Sequence, residues 1–244
     1  MKDYLLDLVE HTHALGIIDL VKIVGTDTET KFSAYSEQRE AVVTGSFKTP
    51  IPEFAGTFGM PNLSKLKTII GFAEYDDDAK INLIREDSAG EKDAPARIHF
   101  ETATGDFVND YRLMFRYIVE AKVQDVKFHG ATWDVEFEPT VVGINRLKKQ
   151  ASANSEELTF NTKTDNGDLK IYFGDISTHS GNFVFQPGVT GTLSRAWNWP
   201  VKVFLAIMDL PGDKKIRIAD AGAVEIVVDS GLATYRYLLP AQTK

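Results

Sequence analysis

Most of this chain is written in short runs where apolar and polar residues alternate, each run closed by Gly, Asp, Asn or Pro. A period of two commits these stretches to half-buried antiparallel strands. The runs LVKIVGT (20–26), KFSAYSE (31–37), AVVTGSF (41–47), KINLIRE (80–86), ARIHFET (96–102) and DYRLMFRYI (110–118) come first. WDVEFE (133–138), ELTFNTKT (157–164), LKIYFGD (169–175), GNFVFQP (181–187), KIRIADA (215–221), AVEIVVDS (223–230) and ATYRYLLP (233–240) follow. Turn sequences such as TDNGD (164–168) and LPGDKK (210–215) separate neighbouring runs.

Four segments carry helical periodicity instead: 3–15, 62–73, 139–153 and 200–210. Their placement is more informative than their number. A helix, a set of strands, a second helix and more strands fill residues 1–118, and the same order fills 133–244. This order predicts a duplicated domain, with one domain over 1–118, a connector without a helical stripe over 119–132, and a second domain over 133–244. In each half the two helices can cover one face of an antiparallel sheet, an α+β arrangement.

The 244 residues are enough for sizeable cores, and 43% hydrophobic with 25% charged residues is a globular composition. Cysteine is absent, which removes disulfides, zinc–thiolate sites and thiol nucleophiles and suits a reducing compartment. No apolar run reaches bilayer length, and Asp7 and Glu10 interrupt the first apolar pattern. The expectation is a cytoplasmic protein, neither secreted nor membrane-bound.

The formal net charge is −8, yet the helices collect cations. In 62–73, Asn62 can cap, Leu63, Leu66, Ile69 and Ile70 form one stripe, and Lys65 and Lys67 flank it. In 139–153 there is no acid: Ile144, Leu147 and Ala151 form the stripe, while Arg146, Lys148 and Lys149 lie on the other faces. Lys202 sits on the polar side of the last helix and Arg195 just before it. The acids lie largely in strands and turns. Such segregation suits a surface that meets a polyanion.

Three stretches then resemble the DNA sliding-clamp family, the proliferating cell nuclear antigen type and the clamps of T4-like phages. They are DYRLMFRYIVE (110–120), NLSKLKTIIGFA (62–73) and PVKVFLAIMDLPGDKKIRIADAGAVEIVVDSGLATYRYLLPAQ (200–242), whose ending YRYLLPA is similar to that family's Tyr-Tyr-Leu-Ala-Pro. The stretch DYLLDLVEHTHALGIID through FAEYDDDAKI leans toward the phage branch. The resemblance implies a DNA-clamp fold of two similar domains, each with an antiparallel sheet and two helices, closing head to tail as a homotrimeric ring. It implies no catalytic activity and no cofactor. It implies that double-stranded DNA is encircled without sequence reading, facing Lys65, Lys67, Arg146, Lys148, Lys149, Arg195 and Lys202. Implied partners are a replicative DNA polymerase, a clamp-loader ATPase and, in phages, late transcription. The family takes partner peptides in an apolar pocket between its domains, and by position that pocket implies Met114, Tyr117, Ile118, Tyr237, Leu239 and Pro240. The first helix departs from the pattern, with Asp7, Glu10 and His11 on its expected polar side.

Other signals point to ordinary structure. His11 and His13 do not share a helix face, and the acids at 76–78 lack the glycine and closing glutamate of a calcium loop, so no metal site is expected. Glu136 with Glu138, and Asp175 with His179 and Ser180, read as surface groups with no nucleophile elbow around them. Trp197 and Trp199 read as a packed lead-in to the last helix. The rival readings are an enzyme with an unrecognised site and a β-rich phage structural or assembly protein.

Overall fold

The computed structural model describes residues 1–76, 78–88, 90–124, 130–175, 177 and 179–242. The chain packs as two compact units. Unit 1 is Met1–Val126 with Ser230–Tyr235, and unit 2 is Lys127–Asp229 with Arg236–Lys244.

Unit 1 opens with helix α1 (Lys2–Thr12), which buries Leu5, Leu8 and Val9. Strands β1 (Leu20–Gly25), β2 (Thr30–Tyr35), β3 (Val42–Phe47) and β4 (Gly56–Pro61) follow, then helix α2 (Leu63–Ile70). The pairing is antiparallel throughout, with Ile23 opposite Phe32 and Phe58, and Phe32 opposite Gly45. Strands β5 (Lys80–Ser88), β6 (Glu91–Glu101) and β7 (Val108–Arg112) form a separate three-stranded sheet in that order. The short β8 (Met114–Phe115) pairs with β4, giving β8-β4-β1-β2-β3, and β3 is flanked by the start of the final strand, β16 (Ala233–Pro240). The alternation read from the sequence is obeyed in β2, where Phe32 and Ala34 are buried and Lys31 is exposed. Phe32, Phe47, Phe54 and Phe58 stack edge to face in succession through this core.

Residues Arg116–Lys122 form a helix, α3, across the end of the run read as a strand (110–118) and the start of the connector expected to lack a helical stripe (119–132). Its stripe is too short to register as a period: only Val119 is buried, against Gly59, where a Cβ would lie 2.8 Å from the Val119 side chain. Arg116 and Glu120 pair one turn apart at 3.0 Å. Residues 125–129 of the expected connector lie outside the described residues, as does Asp77 of the acidic run.

Unit 2 contains β9 (Val135–Phe137), helix α4 (Val141–Ala153), β10 (Thr159–Asp165), β11 (Asp168–Phe173), β12 (Gly181–Gln186), β13 (Trp197–Pro200), helix α5 (Val201–Asp209), β14 (Asp213–Ala219) and β15 (Ala223–Asp229). One antiparallel sheet has the order β12-β11-β10-β13, and the other runs from β16 through β15 and β14 to β9. Phe160, Phe185 and Phe204 form its aromatic core beside Trp199, whose indole N–H donates to Thr162 at 2.8 Å. Trp199 is therefore a core residue. The final strand is divided: Ala233–Tyr235 belong to unit 1 and Arg236–Pro240 to unit 2.

Candidate DNA-facing helices and partner surface

In α2 the stripe lies as its spacing requires. Leu63, Leu66, Ile69 and Ile70 are buried, each contributing about 1.5–3 kcal/mol of transfer free energy. The Asn62 side chain accepts from the Lys65 N–H at 3.2 Å, from a left-handed backbone (φ 54°) that Asn tolerates. With this face committed to the core, Lys65 and Lys67 stand exposed.

Helix α4 starts at a Thr140 cap whose hydroxyl accepts from the Gly143 N–H at 3.0 Å. Gly143 allows close approach to β12: a Cβ there would lie 2.5 Å from the Phe185 carbonyl oxygen. Leu147 and Ala151 are buried, and Arg146, Lys148 and Lys149 are exposed. Lys148 is not free charge, because its ammonium pairs with Asp209 of α5. Arg146 reaches the Val184 carbonyl at 3.5 Å. Lys202 is exposed on α5. The helices of unit 2 thus present four cations against one acid.

In α1, Asp7 and His11 are not on the polar side. Both are buried, at 9% and 1% exposure. A carboxylate is tolerated there because it is hydrogen-bonded: Tyr235 donates to its Oδ2 at 2.7 Å and Ser230 at 3.0 Å. The His11 Nδ1 lies 2.9 Å from the Asp7 carbonyl, and its ring stacks on Tyr235 at 4.4 Å. Asp3 and Glu10 remain exposed. Lys2 is held by Asp76 at 2.6 Å and by the Tyr75 carbonyl. The acidity of this helix is therefore partly turned into the core.

Arg195 lies off every helix face. Its guanidinium carbon sits 5.9 Å from the Trp197 ring centre, and its backbone N–H donates to the Asp220 Oδ1 at 2.9 Å. The Ser194 hydroxyl bonds the same carboxylate, and these two bonds hold the Asp220 carboxyl below its usual range. Trp197 closes the corner by donating to the Asp220 carbonyl at 2.8 Å.

Of the residues expected to receive partner peptides, Tyr117 is 58% exposed, Met114 and Ile118 are half-buried, and Pro240 is exposed. Tyr237 and Leu239 are fully buried in unit 2. Unit 1 also holds a feature that strand and helix periods do not reveal. A cleft of about 800 Å³ opens between residues 13–20, the loop after β2, and Met114, Lys122 and Val123. Tyr35 lines it and donates its hydroxyl to the Lys122 carbonyl.

Glu136 is bound by Lys215 and Arg217, the first contact lowering its carboxyl most. Asp175 accepts from the backbone N–H and hydroxyl of Ser177. Among the described residues no group of three His, Asp or Glu could hold a metal, and no helix is long and apolar enough to cross a membrane.

No protein-family profile and no curated protein matches the sequence. Solved structures do match over its whole length. The chain is similar to A. fulgidus PCNA bound to the C-terminal region of FEN-1, with a TM-score of 0.71 and 13% identity, covering 100% of this chain and 97% of that one. It is similar to PCNA from Thermococcus kodakaraensis at a TM-score of 0.67 and 12% identity, covering 99% and 97%. The chain has the sliding-clamp fold. At such low identity the clamp fold is carried by element order and burial pattern, with few residues in common. The α+β arrangement expected from the order of strands and helices, and the clamp fold that the resemblance implied, are the ones observed.

Proposed function

We propose that this protein is a sliding clamp: a non-enzymatic ring of three copies that encircles duplex DNA and tethers a replicative polymerase. The observation that carries the reading is the full-length match to PCNA structures, joined to exposed cations on α2, α4 and α5 in a chain of net charge −8. Lys65, Lys67, Arg146, Lys149 and Lys202 supply loose, sequence-independent phosphate contacts that permit sliding, with Lys148 weakened by its pairing to Asp209.

Open sheet edges support ring closure. β7 ends one sheet of unit 1 and β12 ends one sheet of unit 2. Phe107 and Val108 are exposed at the first edge. Val141 and Val142 are exposed on α4, the helix that packs on β12. An unpaired edge beside exposed apolar side chains invites another strand, and two different edges on one chain give a head-to-tail contact that closes as a ring. Partner peptides, including those of a polymerase, a clamp-loader ATPase and late-transcription factors of a phage, dock on the surface around Met114, Tyr117 and Ile118 and at Pro240. The buried Tyr237 and Leu239 act by holding β16 in place. Such a protein works in the cytoplasm of a cell or an infected host.

Light scattering across a dilution series, followed by retention on nicked circular DNA, tests the reading. A mass about three times the 27.1 kDa subunit and release on linearising the circle are expected. A monomer at every concentration, or equal retention on linear DNA, overturns it.

A further inference from the structure

We infer that Asp209 is an attenuator of the DNA grip: its carboxylate competes with passing phosphates for the Lys148 ammonium and keeps that contact short-lived. The inference rests on the DNA-encircling half of the proposed function and assigns a role to one acid within it.

The helix dictates where Asp209 points. Val201, Val203, Phe204, Ile207 and Met208 turn the apolar side of α5 into unit 2. Lys202 and Asp209 are left exposed, two turns apart on one face. Asp209 therefore shares its side of α5 with a cation offered to DNA. Helix α4 exposes Arg146, Lys148 and Lys149 and contains no acid. Between the two helices the Lys148 ammonium meets Asp209 Oδ1, with the side chains 45% and 56% exposed.

Asp209 does not serve the helix that carries it. It is the last residue of α5, where a negative charge faces the negative end of the helix dipole and a cation is the stabilising choice. That need is met from elsewhere. Lys214 gives its ammonium to the Leu210 carbonyl and, at 3.0 Å, to the Gly212 carbonyl. With its ammonium committed there, Lys214 leaves Asp209 to Lys148.

The exposure of the pair sets its strength. An ion pair open to water is weak and is readily exchanged. Lys148 leaves Asp209 when a phosphate comes within reach, and Asp209 reclaims it as the duplex advances. A phosphate contact that persists adds affinity and steepens the dependence on salt. A contact that is handed back does neither, which favours movement along the duplex.

Retention on nicked circular DNA across about 50–200 mM salt tests this in the double-mutant cycle of Asp209→Asn and Lys148→Ala. Asp209→Asn should lengthen retention about threefold and steepen its salt dependence. Lys148→Ala should shorten it about threefold, because Asp209 then stands as an uncompensated acid beside the DNA. The double variant should return to the wild-type value, and Asp209→Glu should match it. The melting temperature of Asp209→Asn should not fall, since the acid opposes the helix dipole. A pair that merely ties α4 to α5 would make both single variants less stable and move retention in the same direction. That result, or Asp209→Asn retained no longer than wild type, overturns the inference. A wild-type protein that circles do not hold removes the clamp reading. The cycle is then read as affinity for a short linear duplex: equal values for wild type and Asp209→Asn overturn the attenuator as well, and tighter binding by Asp209→Asn leaves it standing.

Discussion

The Tyr235 hydroxyl donates to the buried Asp7 carboxylate at 2.7 Å across 228 positions of sequence. This bond fastens α1 to the start of the final strand inside unit 1. Tyr235→Phe removes a donor from a carboxylate that stays out of water, leaving Ser230 as its other hydroxyl partner. Urea unfolding should show a loss of about 1–3 kcal/mol, with the circular-dichroism spectrum retained.

Asn62 has two tasks, a cap and a left-handed backbone. Asn62→Gly keeps the backbone and loses the cap, costing a few tenths of a kcal/mol. Asn62→Ala loses both, costing about 1–2 kcal/mol. Melting temperatures should therefore rank wild type, Gly, Ala, in falling order.

Gly45 lies where β3 passes the final strand. A Cβ at this position would stand 2.2 Å from the Thr234 carbonyl oxygen and 2.4 Å from the Phe32 ring. One wall is backbone and cannot rotate away. Gly45→Ala should destabilise by about 3 kcal/mol or more, seen as a lowered midpoint in urea or as insoluble expression.

His99 sits on β6 between Asp110 of β7 at 2.9 Å and Glu101 at 3.2 Å, with Arg97 and Lys80 paired to the same two carboxylates. The Asp110 bond, then the Glu101 bond, raise its pKa above 6.5. A raised folded-state value means the protonated ring stabilises the fold. That contribution is complete below pH 6.5 and fades as pH climbs through the folded value. His99→Gln should lose stability near pH 6 and lose almost none near pH 9. Equal losses at both pH values would contradict the assignment.

Arg146→Glu/Lys149→Glu should leave the mass in solution unchanged and shorten retention on circular DNA more than Lys65→Glu/Lys67→Glu does. The reason is the local balance: α2 packs against α1, which exposes Asp3 and Glu10, whereas the helices of unit 2 expose only Asp209 against four cations. Retention half-life on nicked plasmid reads the difference.

The sheets and α2 were legible because their residues answer to local periods: Phe32 and Ala34 alternate inward, and Leu63, Leu66, Ile69 and Ile70 share a stripe. Asp7 and His11 were not, since a wheel puts polar residues outside and their partners, Ser230 and Tyr235, are more than 200 positions away. Helix α3 escaped because one buried residue, Val119, makes no period. The setting of Arg195, read only as lying just before the last helix, was not legible either, since Asp220, which accepts from its backbone N–H, lies 25 positions downstream in the turn between β14 and β15. The cleft escaped because its walls come from stretches far apart in sequence, within 13–20, 35–40, 61–62, 114 and 122–123.

The division of β16 also orders the birth of the protein on the ribosome. Unit 1 takes Ser230–Tyr235 into its core, so the first 126 residues emerge with Asp7 lacking its hydroxyl donors and β3 lacking a neighbour. They must wait through the synthesis of 127–229 with that edge uncovered, some five to twenty seconds at ordinary elongation rates of about 5–20 residues per second. A nascent chain stalled before residue 230 should remain protease-sensitive in its N-terminal half, and release of only a few further residues should protect it.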